Sequence, residues 1–138
     1  MRVRCINDEL SEKEIAASGF PPGTWDVTIG KEYLVLGVTL FAGGENTPRG
    51  AAYKIEADGG TVYSVPVPLF EIVDNRPSRY WRVGRRGPFG LVLWPQEFFE
   101  RYFFDDLSEG VPAALRTYDK VRDRLEQEFG ILGGNNSQ

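Results

Sequence analysis

The chain has 138 residues, of which 41% are hydrophobic and 13% aromatic, and its formal net charge is −4. This length and composition predict one globular domain and exclude a globally disordered chain. Because most nucleic-acid affinity comes from neutralising phosphates, the acidic balance argues against nucleic-acid binding as the main function.

The residue inventory removes several chemistries, since the chain contains no histidine and one cysteine, Cys5. The missing histidine excludes Ser-His-Asp and Cys-His catalysis and most zinc and transition-metal sites. We expect Cys5, in an apparent strand, to be a small buried thiol. The opening "MRVRCINDELSEKE" lacks an apolar signal-peptide core, and no run reaches the roughly 18 apolar residues of a membrane span. We therefore expect a cytoplasmic protein that makes no membrane contact and uses no metal or cofactor.

The first third of the chain contains two strand signals separated by polar and turn-rich sequence. "RVRCI" alternates and predicts a short strand, and "NDELSEKEIAASG" predicts a short helix or turn that ends at Gly19. "FPPGTWDVTIG" predicts turns, because its two prolines exclude a central strand. "KEYLVLGVTLF", residues 31–41, is the strongest strand signal, with Gly37 as a candidate bulge.

The middle of the chain predicts further antiparallel strands. "DGG", residues 58–60, lies between two alternating runs and predicts a hairpin, and "PLFEIVD" predicts a tight turn that leads into a strand. "RYWRV" and "LVLW" predict two more strands. Because Leu91 to Trp94 is apolar at every position, we expect both faces of the last strand to be covered.

The last part of the chain changes to helical patterns. "PQEFFERYF" begins with proline, which suits the first turn of a helix. Apolar residues then recur at spacings of three and four and predict an amphipathic helix that ends at Gly130. These residues are Val111, Leu115, Tyr118, Val121, Leu125 and Phe129. Residues 1–132 are predicted to form a single domain, and residues 133–138 a flexible tail.

The run from Ile29 to Val73 resembles an SH3-like barrel. In "IGKEYLVLGV" a strand opens after Gly-Lys, and "YKIEADGGTVYSVPVPLFEIV" contains a hairpin and a Pro-x-x-Leu-Phe-Glu turn into a last strand. The resemblance implies an α+β, mainly β fold: a bent antiparallel barrel over residues 29–94, with the helical part 95–129 packed against it. Families with this fold include peptide-binding adaptors, nucleic-acid binders and small bacterial proteins, so the fold alone does not choose a function.

Two neighbouring segments carry opposite charge. The arginine-rich segment, residues 74–86, has a net charge of +4, and the acidic segment, residues 95–109, has a net charge of −4. One short strand joins them, so we expect them to lie close together and to form ion pairs with each other. Arg85 and Arg86, in the glycine-flanked loop "GRRGPFG", are the two arginines we expect to be available to an anion or nucleic acid.

Five aromatic residues fall within the seven positions from Phe98 to Phe104. Helical spacing packs most of them into the core, but five exceed what one face of a short helix can bury. One or two are expected to be exposed beside Asp105 and Asp106, where rings act as anchors and carboxylates steer a basic partner. The predicted contact group is Phe103, Phe104, Asp105, Asp106 and Glu109.

Together these features predict a protein-binding domain without enzymatic activity, and a basic protein as its partner. Its small size, acidic charge and scarcity of catalytic groups resemble the general character of immunity proteins, which neutralise toxins. This resemblance implies inhibition by electrostatic and steric occlusion of the partner.

Two alternatives remain open at this point. A nucleic-acid-binding module would use an exposed Trp or Tyr for stacking and four arginines for backbone contact: Arg79, Arg82, Arg85 and Arg86. An enzyme would need a pocket of converging carboxylates between barrel and helices, near Glu71, Asp74 and Glu97. Asp105 and Asp106 make a poor acid–base pair, because neighbouring side chains usually point apart.

Overall fold

The structure, a computed structural model, describes residues 1–85 and 90–130. These residues form an α+β fold in which strands predominate, so the predicted fold class is confirmed. The strands are β1 (Arg2–Cys5), β2 (Glu32–Leu34), β3 (Gly37–Ala42), β4 (Arg49–Glu56), β5 (Val62–Pro66), β6 (Phe70–Asp74), β7 (Trp81–Arg85) and β8 (Leu91–Pro95). The helices are α1 (Glu12–Ser18), α2 (Phe103–Ser108) and α3 (Pro112–Glu128), and short 3₁₀ turns span Val67–Leu69 and Gln96–Phe99.

The strands form two antiparallel sheets. The smaller sheet has the order β2-β1-β6, and the larger has the order β5-β4-β3-β8-β7. The hairpin predicted around "DGG" is confirmed as β4 and β5, whose register pairs Tyr53 with Val65. The two sheets do not close into a barrel, so the SH3-like barrel stays a prediction.

The segment predicted as one strand over residues 31–41 is two strands in different sheets, and that prediction is wrong. β2 pairs with β1, whereas β3 pairs with β4 and β8. The chain crosses between the sheets at Val35 and Leu36, which are buried in two different hydrophobic cores. Gly37 allows the crossing, because a Cβ there would lie 2.6 Å from the indole ring of Trp94.

The larger sheet separates the two cores. One core lies between the sheets and contains the buried Cys5, as expected, with residues such as Val3, Tyr53, Val65 and Phe70. The other core lies between the larger sheet and the helices, and contains Trp94, Phe98, Tyr118 and Leu125. Burial of these apolar side chains is the main favourable free energy of folding.

The helical part differs from its sequence pattern in two places. "PQEFFERYF" is not one helix: a 3₁₀ turn is followed by a reversal at Tyr102, whose φ of 63° is left-handed. The reversal lets Phe103 stack on Phe98, with ring centroids 5.2 Å apart, which a continuous helix would place on different faces. In α3 the buried face includes Ala114 rather than Leu115, which is exposed.

Strand β8 departs from its prediction in a way that matters for function. Val92 and Trp94 are buried against the helices, but Leu91 is 42% exposed on the other face of the sheet. The expectation that both faces are covered is therefore wrong at this end of the strand. The predicted tail, residues 133–138, lies outside the described residues. None of the described helices is both long and apolar enough to cross a membrane.

Candidate partner-binding groove beside α2 and α3

The predicted contact residues of the acidic segment lie on and around α2. Asp105 and Glu109 are exposed, Asp106 is half-buried and Phe104 is half-buried. Phe103 is only 5% exposed, so it supports this surface from below and is not available as an anchor. The structure thus corrects the predicted contact group at Phe103.

A stacked aromatic cluster forms the base of this surface. Phe98 has no exposed surface and contacts the rings of Phe103, Phe104 and Tyr118 at centroid distances between 5.2 and 6.5 Å. Edge-to-face and offset ring pairs of this kind add stability beyond the area they bury. The cluster therefore holds α2 and α3 in a fixed relation to the larger sheet.

Tyr102 is the ring that the sequence reasoning missed. It is 58% exposed, and it precedes α2 with φ 63° and ψ 15°. A bulky residue in the left-handed region costs about 1–2 kcal/mol, which the surrounding structure must offset. The excess of aromatic residues between Phe98 and Phe104 was the signal for an exposed ring, but helical periodicity pointed to the wrong one.

A groove of about 410 Å³ runs along the inner side of α2 and is called the α2–α3 groove here. Its walls come from the β4–β5 turn, from α2 and from α3. The lining residues are Glu56, Gly59, Gly60, Thr61, Val62, Phe104, Leu107, Ser108, Leu115, Tyr118, Asp119 and Arg122. Apolar side chains such as Leu107 and Leu115 therefore lie next to carboxylates in one concave surface.

The charged side chains that line this groove are Glu56, Asp119 and Arg122, which give it a net charge of −1. Four carboxylates approach the Arg122 guanidinium at N···O distances from 3.3 to 3.7 Å, which leaves a net charge of −3 in the cluster. Glu56 and Asp119 line the groove, whereas Asp123 and Glu126 contact Arg122 from outside its lining. One cation cannot satisfy four carboxylates, so the cluster favours a second cation from outside.

Tyr118 of α3 is linked to Glu56 of β4, and both residues line the groove. Its hydroxyl donates a hydrogen bond to Glu56 Oε1 at 2.6 Å. Burial and the hydrogen bond to the Glu56 carboxylate raise the pKa of Tyr118 well above its usual range. Tyr118 therefore remains a neutral donor at neutral pH, and it fixes the direction of the Glu56 carboxylate.

A hydrogen-bond network around Asp58 holds the β4–β5 turn in place. The carboxylate accepts from Thr28 Oγ1 at 2.5 Å, from Lys31 Nζ at 2.7 Å and from the Tyr33 hydroxyl at 2.7 Å. Desolvation opposes the charged form, but these three donors outweigh it and lower the pKa of Asp58 to about 2. The Asp26 carboxylate also accepts from the Gly59 N–H at 2.7 Å. The turn that forms one wall of the groove is thus anchored from two sides.

The arginine-rich segment does not pair with the acidic segment in the part of the chain that the structure describes, and that prediction is wrong there. Arg76 forms an ion pair with Asp74 of its own segment. The Glu128 carboxylate of α3 accepts from Ser78 Oγ at 2.6 Å and from the Arg79 N–H at 2.7 Å. The C-terminal part of α3, far along the sequence, takes the position expected for the acidic segment.

The acidic segment is likewise connected to α3. Glu97 accepts two hydrogen bonds from the Arg124 guanidinium, both at 3.0 Å, and these lower the pKa of Glu97. Arg101 lies over the ring of its neighbour Tyr102, 5.0 Å from the centroid. Among the described residues, Asp105 and Glu109 are exposed and neither forms an ion pair.

The residues of the two alternative functions are placed separately. Arg85 is exposed, and Arg86 lies outside the described residues. Two rings that precede them in sequence are already engaged, because Trp81 Nε1 donates to the Leu36 carbonyl at 2.9 Å and Tyr80 lies beneath the Arg124 guanidinium. Neither of these two rings is free to stack on a base, and no observation on the described residues favours the nucleic-acid alternative.

The three carboxylates of the enzyme alternative are held by three different arginines. Glu71 pairs with Arg4 at 3.0 Å, Asp74 pairs with Arg76, and Glu97 pairs with Arg124. Within residues 1–85 and 90–130, no group of three or more Cys, Asp or Glu residues is placed to hold a metal ion.

Comparisons with family models, with curated proteins and with solved structures find no match to this chain.

Proposed function

We propose that the protein is a binding domain for a basic protein, and that the α2–α3 groove receives the partner. The observation that carries this proposal is the groove itself, in which apolar walls adjoin a cluster of net charge −3. The carboxylates attract a basic partner over a distance, while the apolar walls provide the area that keeps it bound.

A partner lysine or arginine fits this groove in a definite way. Its methylene stem would lie against Leu107 and Leu115, and its charged head would reach Asp119 and Glu56. Exposed acidic groups on α2, such as Asp105, would steer the approach of the partner. Tyr102 adds a large ring that contributes contact area at a small entropic cost.

In a narrower form the protein is an immunity-type inhibitor that covers the active surface of a basic toxin. This form is supported by general character and by no specific contact. The SH3-like barrel predicted for residues 29–94 supports protein binding by analogy alone, because peptide-binding adaptors are among the families with that fold. Co-expression with a toxin encoded by an adjacent gene would restore growth if this form is correct.

The test is an association-rate measurement on a purified partner, obtained by capture on the immobilised chain and release with salt. We expect Asp105→Lys to slow association about tenfold at about 50 mM NaCl and to change little at about 300 mM. We expect Leu115→Ser to act mainly on dissociation, which it should accelerate about tenfold, because Leu115 is exposed and its loss leaves the core intact.

The matched control is Glu9→Lys, which makes the same charge reversal at an exposed residue before α1, outside the groove. If Glu9→Lys slows association as much as Asp105→Lys does, only the overall charge matters and the groove is the wrong site. A captured partner that is acidic would also contradict the proposal.

A further inference from the structure

One row of side chains crosses all five strands of the larger sheet on a single face. It consists of Val83, Leu93, Val38, Tyr53 and Val65. Val65 is completely buried at the β5 end, and Val83 is 69% exposed at the β7 end. The smaller sheet has three strands, and the core beneath it includes Val65 and Tyr53 and reaches Val38 and the start of β7 at Trp81, but it leaves Val83 exposed.

The uncovered end of the row belongs to an apolar surface. Leu91 of β8 and Leu40 of β3 are both 42% exposed. Leu91 lies opposite Arg85, two residues from Val83, and Leu40 lies two residues from Val38, so all these side chains share the uncovered face. Large apolar side chains exposed next to one another in a sheet mark an interaction surface.

Strand β7 is also the free edge of this sheet. Trp81 lies opposite Pro95, which has no N–H, so the hydrogen-bonded pairs with β8 are Arg82–Trp94 and Gly84–Val92. The backbone N–H and C=O groups of the alternate residues Val83 and Arg85 consequently point away from β8. Unpaired groups of this kind form a template for another strand.

The edge is held in its strand conformation from behind. A Cβ at Gly84 would lie 2.3 Å from the ring of Phe99, so this ring lies directly against the backbone of β7. Trp81 is fixed by its hydrogen bond to the Leu36 carbonyl. An edge that is already ordered loses little conformational entropy when another strand adds to it.

The charges along the edge select the partner. Arg82 and Arg85 are exposed, and within residues 1–85 and 90–130 neither forms an ion pair. The Arg82 guanidinium instead donates to the carbonyls of Arg79 and Trp81 at 3.3 and 3.2 Å. A second β7 from another copy of this chain would bring arginines against arginines, which is unfavourable. An acidic strand would instead place carboxylates against these arginines, which is favourable.

We infer that β7 accepts an extended, acidic segment of another protein as an additional strand. The segment hydrogen-bonds to the backbone of Val83 and Arg85, places an apolar side chain over Val83, and places carboxylates opposite Arg82 and Arg85. This is the β-augmentation mode, in which the main chain supplies affinity and alternate side chains supply specificity. The surface is separate from the α2–α3 groove and does not depend on the function proposed there.

The probe is the fluorescein-labelled peptide "GETVETG", capped at both ends, in which glutamates lie one residue after and two residues before the valine. The control peptide "GVTEETG" has the same composition without that spacing. Anisotropy at about 50 mM NaCl should show binding of the first peptide at least about tenfold tighter than that of the second. Amide resonances of Val83, Arg85 and Leu91 should shift in the isotopically labelled protein.

Two variants test the geometry. Val83→Pro removes an N–H that points away from β8, so the ladder with β8 is kept and peptide binding should weaken about tenfold. Arg85→Glu should weaken binding about tenfold or more, whereas Arg116→Glu, an exposed reversal on α3, should change it less than about twofold. Thermal midpoints identify any variant that fails to fold. If Val83→Pro does not fold, Arg85→Glu alone tests the inference.

Four results would overturn the inference. The two peptides could bind equally, or Arg85→Glu could bind like the parent protein. A labelled thymidine oligonucleotide of about 12 nucleotides could bind tightly and displace the peptide, which would assign the arginines to nucleic acid. Finally, the protein could sediment as a dimer that Val83→Pro converts to a monomer, in which case a second copy occupies the edge.

Discussion

The β4–β5 hairpin and strand β7 lie at opposite edges of the five-stranded sheet and present opposite surfaces. At the hairpin, the Arg122 guanidinium lines the α2–α3 groove and is approached by four carboxylates. At β7, Arg82 and Arg85 are exposed beside apolar side chains, and no carboxylate of the described residues pairs with them. The formal net charge of −4 describes neither surface.

The difference follows from how each edge is covered. Helices α2 and α3 pack beside the hairpin on one face, and the smaller sheet covers the other face. At β7 the helix side is covered by contacts such as that between Gly84 and Phe99, whereas on the other face Trp81 is packed and Val83 is exposed. The hairpin edge therefore combines an anchored turn with excess negative charge, and the β7 edge combines outward backbone groups with positive charge. This difference is why we propose two partners of opposite charge, one for each surface.

The largest expected effect comes from removing the base of the groove. Phe98→Ala deletes a fully buried ring that contacts three others, and we expect it to lower the free energy of unfolding by about 3–5 kcal/mol. The matched truncation at the other edge is Val83→Ala, which should change stability by less than about 0.5 kcal/mol because Val83 is already exposed. Urea unfolding of both variants makes the comparison, and equal losses would show that Val83 is covered in solution.

A smaller effect is a pH dependence of stability, which we expect at the β4–β5 hairpin. The folded pKa of Asp58, about 2, lies below its ordinary value of 3.8. Its carboxylate therefore contributes stability that is fully present above about pH 4 and is lost as the pH falls toward about 2. Thermal midpoints of Asp58→Asn should lie below those of the parent protein near pH 6, and the gap should close near pH 2. A gap that stays constant would mean that the network around the hairpin does not depend on the charge of Asp58.

The fold could be predicted from the sequence wherever one element has one environment. "RVRCI" alternates because one side faces the core between the sheets, and α3 has a helical period because one side packs on the sheet. "YLVLGVTLF" carries apolar residues for two cores in succession, and its pattern is the same for one long strand as for two. Only the tertiary structure shows that the chain crosses between sheets at Val35 and Leu36.

The candidate sites show the same limit. The acidic residues of α2 and the arginines of the β7 region could be recognised by composition. The groove could not, because the Tyr118–Glu56 hydrogen bond joins residues 62 positions apart. The exposure of Leu91 could not be predicted either. A run of apolar residues does not show that the sheet packed on this face has three strands, whereas the sheet that contains Leu91 has five.

The smallest effect on stability tests whether Tyr102 is kept for binding. Glycine adopts a φ of 63° without strain, so Tyr102→Gly should leave stability unchanged or raise it by up to about 1 kcal/mol. If Tyr102 contacts the basic partner, the same change should accelerate dissociation about tenfold, because an exposed ring of this size contributes much of the area at such contacts. Tyr102→Asn, which also tolerates the left-handed region, separates the ring from the backbone conformation. Faster dissociation in both variants with undiminished stability places Tyr102 in the interface, whereas a loss of more than about 1 kcal/mol in Tyr102→Gly would make the ring a packing element of α2.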